Sequence, residues 1–298
     1  MPLLSCLEPF GESFEAVRNA AVRLESWLAK PLRLRLLVPY RVGFGLLVAA
    51  NGLSWLPHAT ERFSSAGFHI GFLAAWAPSP ALATGLVLTV VGAGLLFAAG
   101  CLTRVANFVL LLVWGYLYSV DQIGEKAVDS IVLVVLSLTL FLPLGRSAGL
   151  DARWFGREEF APGLPVRLLQ LEFVQIYFFA GLTKLMRADW RTGKTLYESL
   201  MSRWAHPWTP GLAAELSSDT LLVLAWGTIL FEIGIGFLLM RRAFSVPARL
   251  ACLSFHGAIQ MALGIGYLGL HFALATLTLY RRSLLREREE NRACDPSS

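Results

Sequence analysis

The sequence contains little charge and few cysteines, and both shortages exclude broad classes of protein. Only 16% of its 298 residues are charged, against about 25% in a typical soluble domain, while 55% are hydrophobic. A soluble protein of this size could not bury so much apolar surface in one core, which excludes an ordinary soluble enzyme and a disordered chain. Lipid is therefore predicted to be the solvent for most of the surface.

Motifs for metal, nucleotide and redox chemistry are also missing from the sequence. The four cysteines (Cys6, Cys101, Cys252 and Cys294) form no CxxC pair, and there is no HExxH, so no metal is expected. Without a P-loop or a Rossmann glycine fingerprint, ATP-driven transport is not expected either. The net charge of +5 does not indicate a nucleic-acid partner, because in a membrane protein basic residues first report orientation.

Apolar segments long enough to cross a bilayer predict an all-α integral membrane protein, a bundle of about eight transmembrane helices. A bilayer core needs roughly 20 apolar residues per helix. The stretch Ala248–Tyr280 is too long for one helix, and Gly264, Gly266 and Gly269 offer a break, so it is divided into two short spans. The region Phe68–Trp76 is too short to span and is predicted to be interfacial or re-entrant. The predicted spans are Leu34–Leu56, Pro80–Gly100, Val105–Val120, Val128–Leu144, Pro165–Met186, Leu221–Met240, Ala248–Gly264 and Tyr267–Tyr280.

The chain is predicted to have three parts. Residues 1–33 form an amphipathic segment at the membrane surface, residues 34–280 the transmembrane domain, and residues 281–298 a charged tail. With eight spans, most of the 26 basic residues fall on the side of the N-terminus, which places both termini in the cytoplasm of a cell with an inner or plasma membrane. A seven-span arrangement would put the basic tail on the other side.

Ionisable residues within the spans are functional hypotheses, because charge at membrane depth is expensive. Lys184 shares one face of the fifth span with Tyr177 and Gly181. A lysine at an apolar boundary can lose its proton and act as a base, although it can also simply reach to the interface. Glu232 lies mid-span beside small residues and must be paired or protonated. Glu172 lies about 120° from Lys184 around the helix and is expected to pair with another helix.

Two further regions leave alternatives open. His256 and Gln260 share a face of the seventh span with Leu263 and Tyr267, and His256 could transfer protons, bind a ligand or join two helices. The loop from Arg187 to Asp219 is rich in tryptophan and proline. These aromatic residues fit either an interfacial belt or a lid over a site that opens outward. Arg41, Asp129 and His271 are the other candidates at membrane depth.

Several stretches resemble a known family. The segment Ile176–Leu185 (IYFFAGLTKL), followed by Ala188–Trp190 and Tyr197–Leu200, resembles the vitamin K-dependent gamma-glutamyl carboxylases. It is still more similar to their bacterial relatives, the HTTM (horizontally transferred transmembrane) domain proteins. The stretches Glu232–Leu239 and Phe255–Gln260 are similar to the closing helices of that family. The resemblance covers roughly Leu34 to Tyr280.

The resemblance implies a chemistry and a set of site residues. Lys184 matches the base that deprotonates reduced vitamin K, whose oxygenation generates a strong base for carboxylation of a peptide glutamate. It implies a reduced quinone as cofactor and a secreted peptide or partner protein beside the lipid bilayer. The roles implied are Lys184 and His256 as catalytic residues, Tyr177, Gln260, Asp129 and Glu232 as cofactor-binding residues, and Asp189 and Trp190 as residues that shape the substrate site.

Two departures from the carboxylases keep more than one function open. Their fourth span has a histidine where this chain reads Ala127–Ser130, and Asp129 there could hold the ammonium of Lys184. They also carry a large extramembrane domain, whereas this sequence ends at Ser298, so a complete substrate-binding carboxylase is not expected. The first hypothesis is a quinone-linked, carboxylase-like enzyme acting outside the cytoplasm. The alternatives are a non-catalytic membrane partner for maturation or export of a secreted peptide, a small transporter, or a quinone-binding subunit.

Overall fold

The first half of the chain supplies four long helices and a short strand. The computed structural model describes residues 8–122, 126–264, 266–281 and Leu284. Strand β1 (Leu32–Arg33) pairs antiparallel with β2 (Phe160–Ala161) and ties the N-terminal segment to the start of the second half. The helices of the first half are α1 (Glu8–Ala29), α2 (Val38–Trp55), α3 (Ala59–Phe63), α4 (Pro80–Ala99), α5 (Thr103–Val120), α6 (Lys126–Thr139), α7 (Gly145–Ala148) and α8 (Asp151–Trp154).

The second half is built around α9, which packs against α13 over much of its length and also contacts α6 and α15. A loop containing three short helices connects α9 to α13. The helices are α9 (Gly163–Met186), α10 (Ala188–Arg191), α11 (Lys194–Leu200), α12 (Thr209–Glu215), α13 (Ser218–Met240), α14 (Ser245–Ala262) and α15 (Leu268–Leu279).

The helices confirm an all-α membrane protein. Four of them are long and apolar enough to cross a bilayer: Leu34–Phe63, which contains α2, and then α4, α5 and α13. Helices α6 and α15 are apolar but shorter. The helical membrane architecture is therefore confirmed, while the number of eight membrane crossings stays a prediction.

The predicted end of the fourth span is wrong, and the cause is local. α6 ends at Thr139 and not at Leu144, because Pro143 cannot continue a helix and residues 140–144 form turns. α14 ends at Ala262 and α15 begins at Leu268, which confirms the division of the last apolar stretch. The sequence predicts that Tyr267 shares a face with His256 and Gln260. It does not, because the helix that carries His256 and Gln260 stops at Ala262.

The predicted surface segments lie outside the bundle. α1 contacts α9 where the guanidinium of Arg167 lies 4.8 Å from the ring of Trp27, while Val17 and Leu24 of α1 are exposed. The stretch 68–76 contains turns and one 3-10 turn and lies across the end of α5, so it does not span. The tail after Arg281, apart from Leu284, lies outside the described residues.

Buried charges stabilise the end of the bundle opposite Lys184. Arg41 donates to the carbonyl oxygens of Leu144 at 3.0 Å and Ala148 at 3.1 Å. Asp151 accepts hydrogen bonds from the backbone nitrogens of Leu102 and Thr103, where α5 begins. These contacts satisfy helix-end groups that would otherwise be unpaired in an apolar setting. Arg41, a candidate from the sequence, therefore joins helix ends in this structure.

Candidate functional site

Helices α9 and α13 come close together at Gly181, one turn before Lys184. A Cβ atom on Gly181 would lie 2.8 Å from the backbone nitrogen of Ile233, so a larger residue would push the helices apart. Lys184 lies in the last turn of α9, where the helix dipole favours a positive charge. The close packing brings this turn against the side of α13 that carries Glu232.

Lys184 and Glu232 form an ion pair at this contact. Nζ of Lys184 donates to Oε2 of Glu232 at 2.6 Å. The two side chains are only 19% and 10% exposed, so water screens their attraction weakly. The prediction that Glu232 is paired or protonated is confirmed, and its partner is Lys184 at the end of the Ile176–Leu185 stretch.

Trp190 covers this ion pair from the loop side. Its ring centroid lies 5.1 Å from Nζ of Lys184, within the range of a cation–π contact. Asp189 fixes the start of the short helix α10, because its Oδ1 accepts from the backbone nitrogen of Trp190 at 3.1 Å. Nε and Nη2 of Arg187 donate to the two oxygens of Asp189 at 3.2 and 2.7 Å. Asp189 and Trp190 thus adjoin Lys184, although their role in a substrate site stays a prediction.

The Arg187–Asp189 contact yields a prediction about protonation. Hydrogen bonds from the Arg187 guanidinium hold the pKa of the Asp189 carboxyl well below its usual range. A depressed pKa means that the contact contributes at pH values above the ordinary pKa of aspartate and is lost only in stronger acid. Arg187→Gln is therefore expected to move protonation of Asp189 up towards the ordinary value of about 4. Infrared spectra of the carboxyl band in reconstituted membranes, with Asp189→Asn to assign it, measure this. A titration unchanged by Arg187→Gln would contradict it.

An open groove of about 500 Å³ runs along α9 beside the ion pair. Its deep end carries the amide of Gln175, its middle is apolar, with Ile176, Phe179 and Ala180, and its outer part carries the polar groups of Thr183, Lys184 and Arg187 below Trp190. Pockets for small molecules are typically 300–1,000 Å³ in volume, mostly apolar, with a few polar groups. The groove therefore has the size and the polarity of a ligand site, and Lys184 lies at its polar end.

A second predicted group lies deeper in the bundle. The hydroxyl of Tyr177 and Nε2 of His256 are 2.6 Å apart, and both residues are buried. Phe272 stacks on the His256 ring at a centroid distance of 4.7 Å. Tyr177 is seven residues before Lys184, which corresponds to about 10 Å along the helix. The structure thus divides the predicted residues into an outer group around Lys184 and a buried pair.

Asp129 and Glu172 have partners other than those suggested by the sequence. Asp129 accepts a hydrogen bond from Nε1 of Trp114 at 3.1 Å, while the carboxylate that Lys184 contacts is Glu232. The suggestion that Asp129 holds Lys184 is therefore wrong. Glu172 accepts from Nε2 of Gln175 on its own helix, at 2.7 Å, and not from another helix as expected.

Gln260, His271 and most of the tryptophan-rich loop lie away from the ion pair. Oε1 of Gln260 is buried and has no hydrogen-bond partner among the described residues, and it lies close to Gly269. His271 is buried beside Phe44, and its Nε2 has no hydrogen-bond partner among the residues that the structure describes. Of the tryptophan-rich loop, only Trp190 borders the groove. Trp204 and Trp208 remain exposed.

The fold and site define a polytopic helical membrane protein with an ion pair at the end of one long helix. The family model described as HTTM domain matches residues 30–283, nearly the whole chain. The chain therefore belongs to the HTTM domain family, which is related to the transmembrane part of the gamma-carboxylases. The comparison with curated proteins and with solved structures found no match.

Several groove residues were not anticipated from the sequence. Phe179, Ala180 and Thr183 lie within the Ile176–Leu185 stretch and Arg187 follows it, but none of them was given a role in the site. The Lys184–Glu232 contact could have been suspected from one signal, the presence of Gly181 in α9 and Gly236 in α13, each of which packs closely against the other helix. Close approach through glycine is a known packing mode of membrane helices.

Proposed function

We propose that this HTTM-domain protein is a membrane enzyme in which Lys184 removes a proton from a reduced quinone, for carboxylase-like chemistry on a peptide or small molecule outside the cytoplasm. The observation that carries the proposal is the Lys184–Glu232 ion pair at the polar end of the groove, beneath Trp190. The family relation supplies the reaction class, and the positive-inside pattern supports the orientation.

The residues fit a quinone by the chemistry of their side chains. The Thr183 hydroxyl and the Lys184 ammonium can donate hydrogen bonds to its oxygens, and Trp190 offers a flat aromatic face. When bound, a reduced quinone would supply, with dioxygen, the strong base that carboxylation requires. Arg187 and Asp189 keep Trp190 in place and hold this rim electrically neutral.

Lys184 can become a base by passing a proton to Glu232. The two atoms are 2.6 Å apart, so a proton can move from Nζ to Oε2 without rearrangement. The product would be a neutral amine beside a neutral acid, so the pair carries no net charge before or after the transfer. The amine can then accept a proton from a hydroxyl group in the groove. Tyr177 and His256, two turns deeper, form an accessory acid–base pair that also fixes α9 against α14.

A proton-transfer role for Glu232 is tested by Glu232→Gln. Glutamine keeps the shape and can still hydrogen-bond Lys184, but it cannot take the proton. Positioned acid–base groups contribute about 100-fold to 10,000-fold, so the rate is expected to fall at least about 100-fold. The measurement is oxygen-dependent consumption of reduced menaquinone-4 by proteoliposomes, corrected for protein-free vesicles. Glu198→Gln, in an exposed pair with Lys194, is the matched control and should keep full activity. Equal rates for wild type and Glu232→Gln would refute the role.

A second function, a non-catalytic partner of a secreted peptide, is favoured by one specific feature. Trp204 and Trp208 are 52% and 54% exposed, yet their segment is fixed to the end of α14. The backbone nitrogen of His206 and the hydroxyl of Thr209 both donate to the carbonyl oxygen of Ala262. Rigidly held exposed tryptophans are typical of protein-binding surfaces. This function requires that co-purification of a partner depend on the two tryptophans and not on Lys184.

A further inference from the structure

A second groove lies on α9, in the half of the helix away from Lys184. Its volume is about 550 Å³, and most of its lining comes from residues 168–178 of α9. Val134 and Leu138 of α6 and Phe237 of α13 complete the lining. Since α6 and α13 both pack against α9, the groove lies where a further helix can pack against three helices of this chain.

Two polar side chains, Glu172 and Gln175, line this otherwise apolar groove. α9 has 24 residues, so both side chains belong to residues within about 5 Å of its midpoint along the helix axis. The midpoint of a spanning helix lies near the middle of the hydrocarbon core, away from water and from lipid headgroups. A carboxyl group at this depth is expensive unless a partner compensates it.

This chain compensates Glu172 only in part. Nε2 of Gln175 donates to Oε2 of Glu172 at 2.7 Å, and this is the one hydrogen bond of that carboxyl among the described residues. Within the same residues Glu172 forms no ion pair. The Gln175 amide is neutral, so it cannot balance a negative charge. A carboxylate can accept about four hydrogen bonds, and Glu172 therefore retains capacity for a further donor.

The depth of Glu172 selects the kind of occupant. Lipid headgroups do not reach the middle of the bilayer, and acyl chains carry no donor. The backbone amides of a membrane helix already bond within that helix, so the donor must be a side chain. A second copy of this chain, packed through the same groove, would bring a second carboxyl and not a cation. A basic side chain gives the charge complementarity that the groove lacks.

We propose that the second groove docks a transmembrane helix of a partner protein, and that this helix carries a basic side chain near its middle, which pairs with Glu172. The apolar side chains of the partner helix pack against the groove lining, as expected of helix association in lipid. The proposal does not depend on the chemistry of Lys184, and the partner differs from a secreted peptide because it lies within the bilayer.

The test uses two synthetic transmembrane peptides of about 20 residues, built from leucine and alanine, with lysine or leucine at the central position. Each carries a terminal dansyl group that accepts energy from the tryptophans of the protein. Binding is measured in proteoliposomes of neutral phosphatidylcholine, with affinities expressed as mole fractions in the lipid. The lysine peptide is expected to bind about threefold to thirtyfold tighter, the range of polar contacts between membrane helices. Glu172→Leu should remove this preference.

Thr89→Leu is the matched control. It replaces a polar side chain at an exposed position near the middle of α4, and the preference should remain. Leu171→Trp, at a groove side chain that is 37% exposed, fills the groove and should abolish the preference. This second variant decides the test if Glu172→Leu does not fold.

Two results would overturn the proposal. One is equal affinity of the two peptides for the wild-type protein, and the other is a preference that survives both Glu172→Leu and Leu171→Trp. Association of two copies of the protein that is lost in Glu172→Leu would assign the groove to a second copy and would overturn it as well. None of these results bears on the proton transfer proposed for Lys184.

Discussion

Lys184→Ala is expected to abolish quinone turnover while leaving the helical bundle folded. Lys184 is the group proposed to take the proton from the quinone, and loss of such a group costs about 100-fold to 10,000-fold in rate. Its removal leaves Glu232 without its cation, but a lone carboxyl in an apolar setting can remain protonated and neutral. The measurement is consumption of reduced menaquinone-4 in proteoliposomes, with the melting temperature recorded on the same samples.

Two further variants separate chemistry from charge. Lys184→Arg keeps the ion pair with Glu232, but a guanidinium does not give up its proton, so this variant should be as inactive as Lys184→Ala. Lys194→Ala removes an exposed lysine from the following loop and should retain full activity. A Lys184→Ala protein with normal turnover would exclude Lys184 as the base. If Lys184→Ala lost turnover but still co-purified with a partner protein, the chain would have both the enzymatic function and the peptide-partner function.

A large effect on stability is expected from Gly45→Val, in the contact between α2 and α4. A Cβ atom at Gly45 would lie 2.6 Å from the backbone nitrogen of Ala98 and 2.7 Å from the carbonyl oxygen of Gly94. Both neighbours are backbone atoms of a helix, so they cannot move aside as a flexible side chain would. Overpacking of this kind costs about 1–3 kcal/mol or more. Thermal unfolding in detergent should show a markedly lower melting temperature or failure to fold.

Gly92→Val is the matched control for this prediction. Gly92 lies on α4 with nothing within 4 Å of its Cβ position, so the same substitution there changes helix propensity without any clash. Its effect should stay within about 1 kcal/mol. Equal melting temperatures for the two variants would mean that α2 and α4 are not packed through Gly45.

Local sequence signals were enough to predict the helices in most places. Ser79 and Pro80 predict where α4 begins, and Gly100, with a φ of 70°, ends it in the left-handed conformation that glycine favours. The end of α6 was missed because the apolar run through Leu142 and Leu144 continues past Thr139. Hydropathy cannot distinguish a helix from an apolar turn, and Pro143 was the signal that should have decided it.

The site was predictable only where its residues are neighbours in sequence. Lys184, Asp189 and Trp190 lie at the end of α9 and the start of α10, so chain connectivity alone brings them together. The partner of Lys184 is 48 residues away, and choosing Glu232 over Asp129 requires the register of α9 against α13. That register depends on the packing of Gly181 against Ile233, a contact between helices that no sequence period reveals. The groove could not be predicted for the same reason, because it depends on how the helices pack and its walls are apolar residues like those elsewhere in the spans.

The central claim, that Lys184 initiates oxygenation of a reduced quinone, is tested most directly with isotopically labelled oxygen. Purified protein in proteoliposomes is mixed with reduced menaquinone-4 under ¹⁸O₂, and the quinone products are analysed by mass spectrometry. We expect a protein-dependent product that carries ¹⁸O and is absent with Lys184→Ala. No labelled product above that of protein-free vesicles, or the same amount with Lys184→Ala, would contradict the claim.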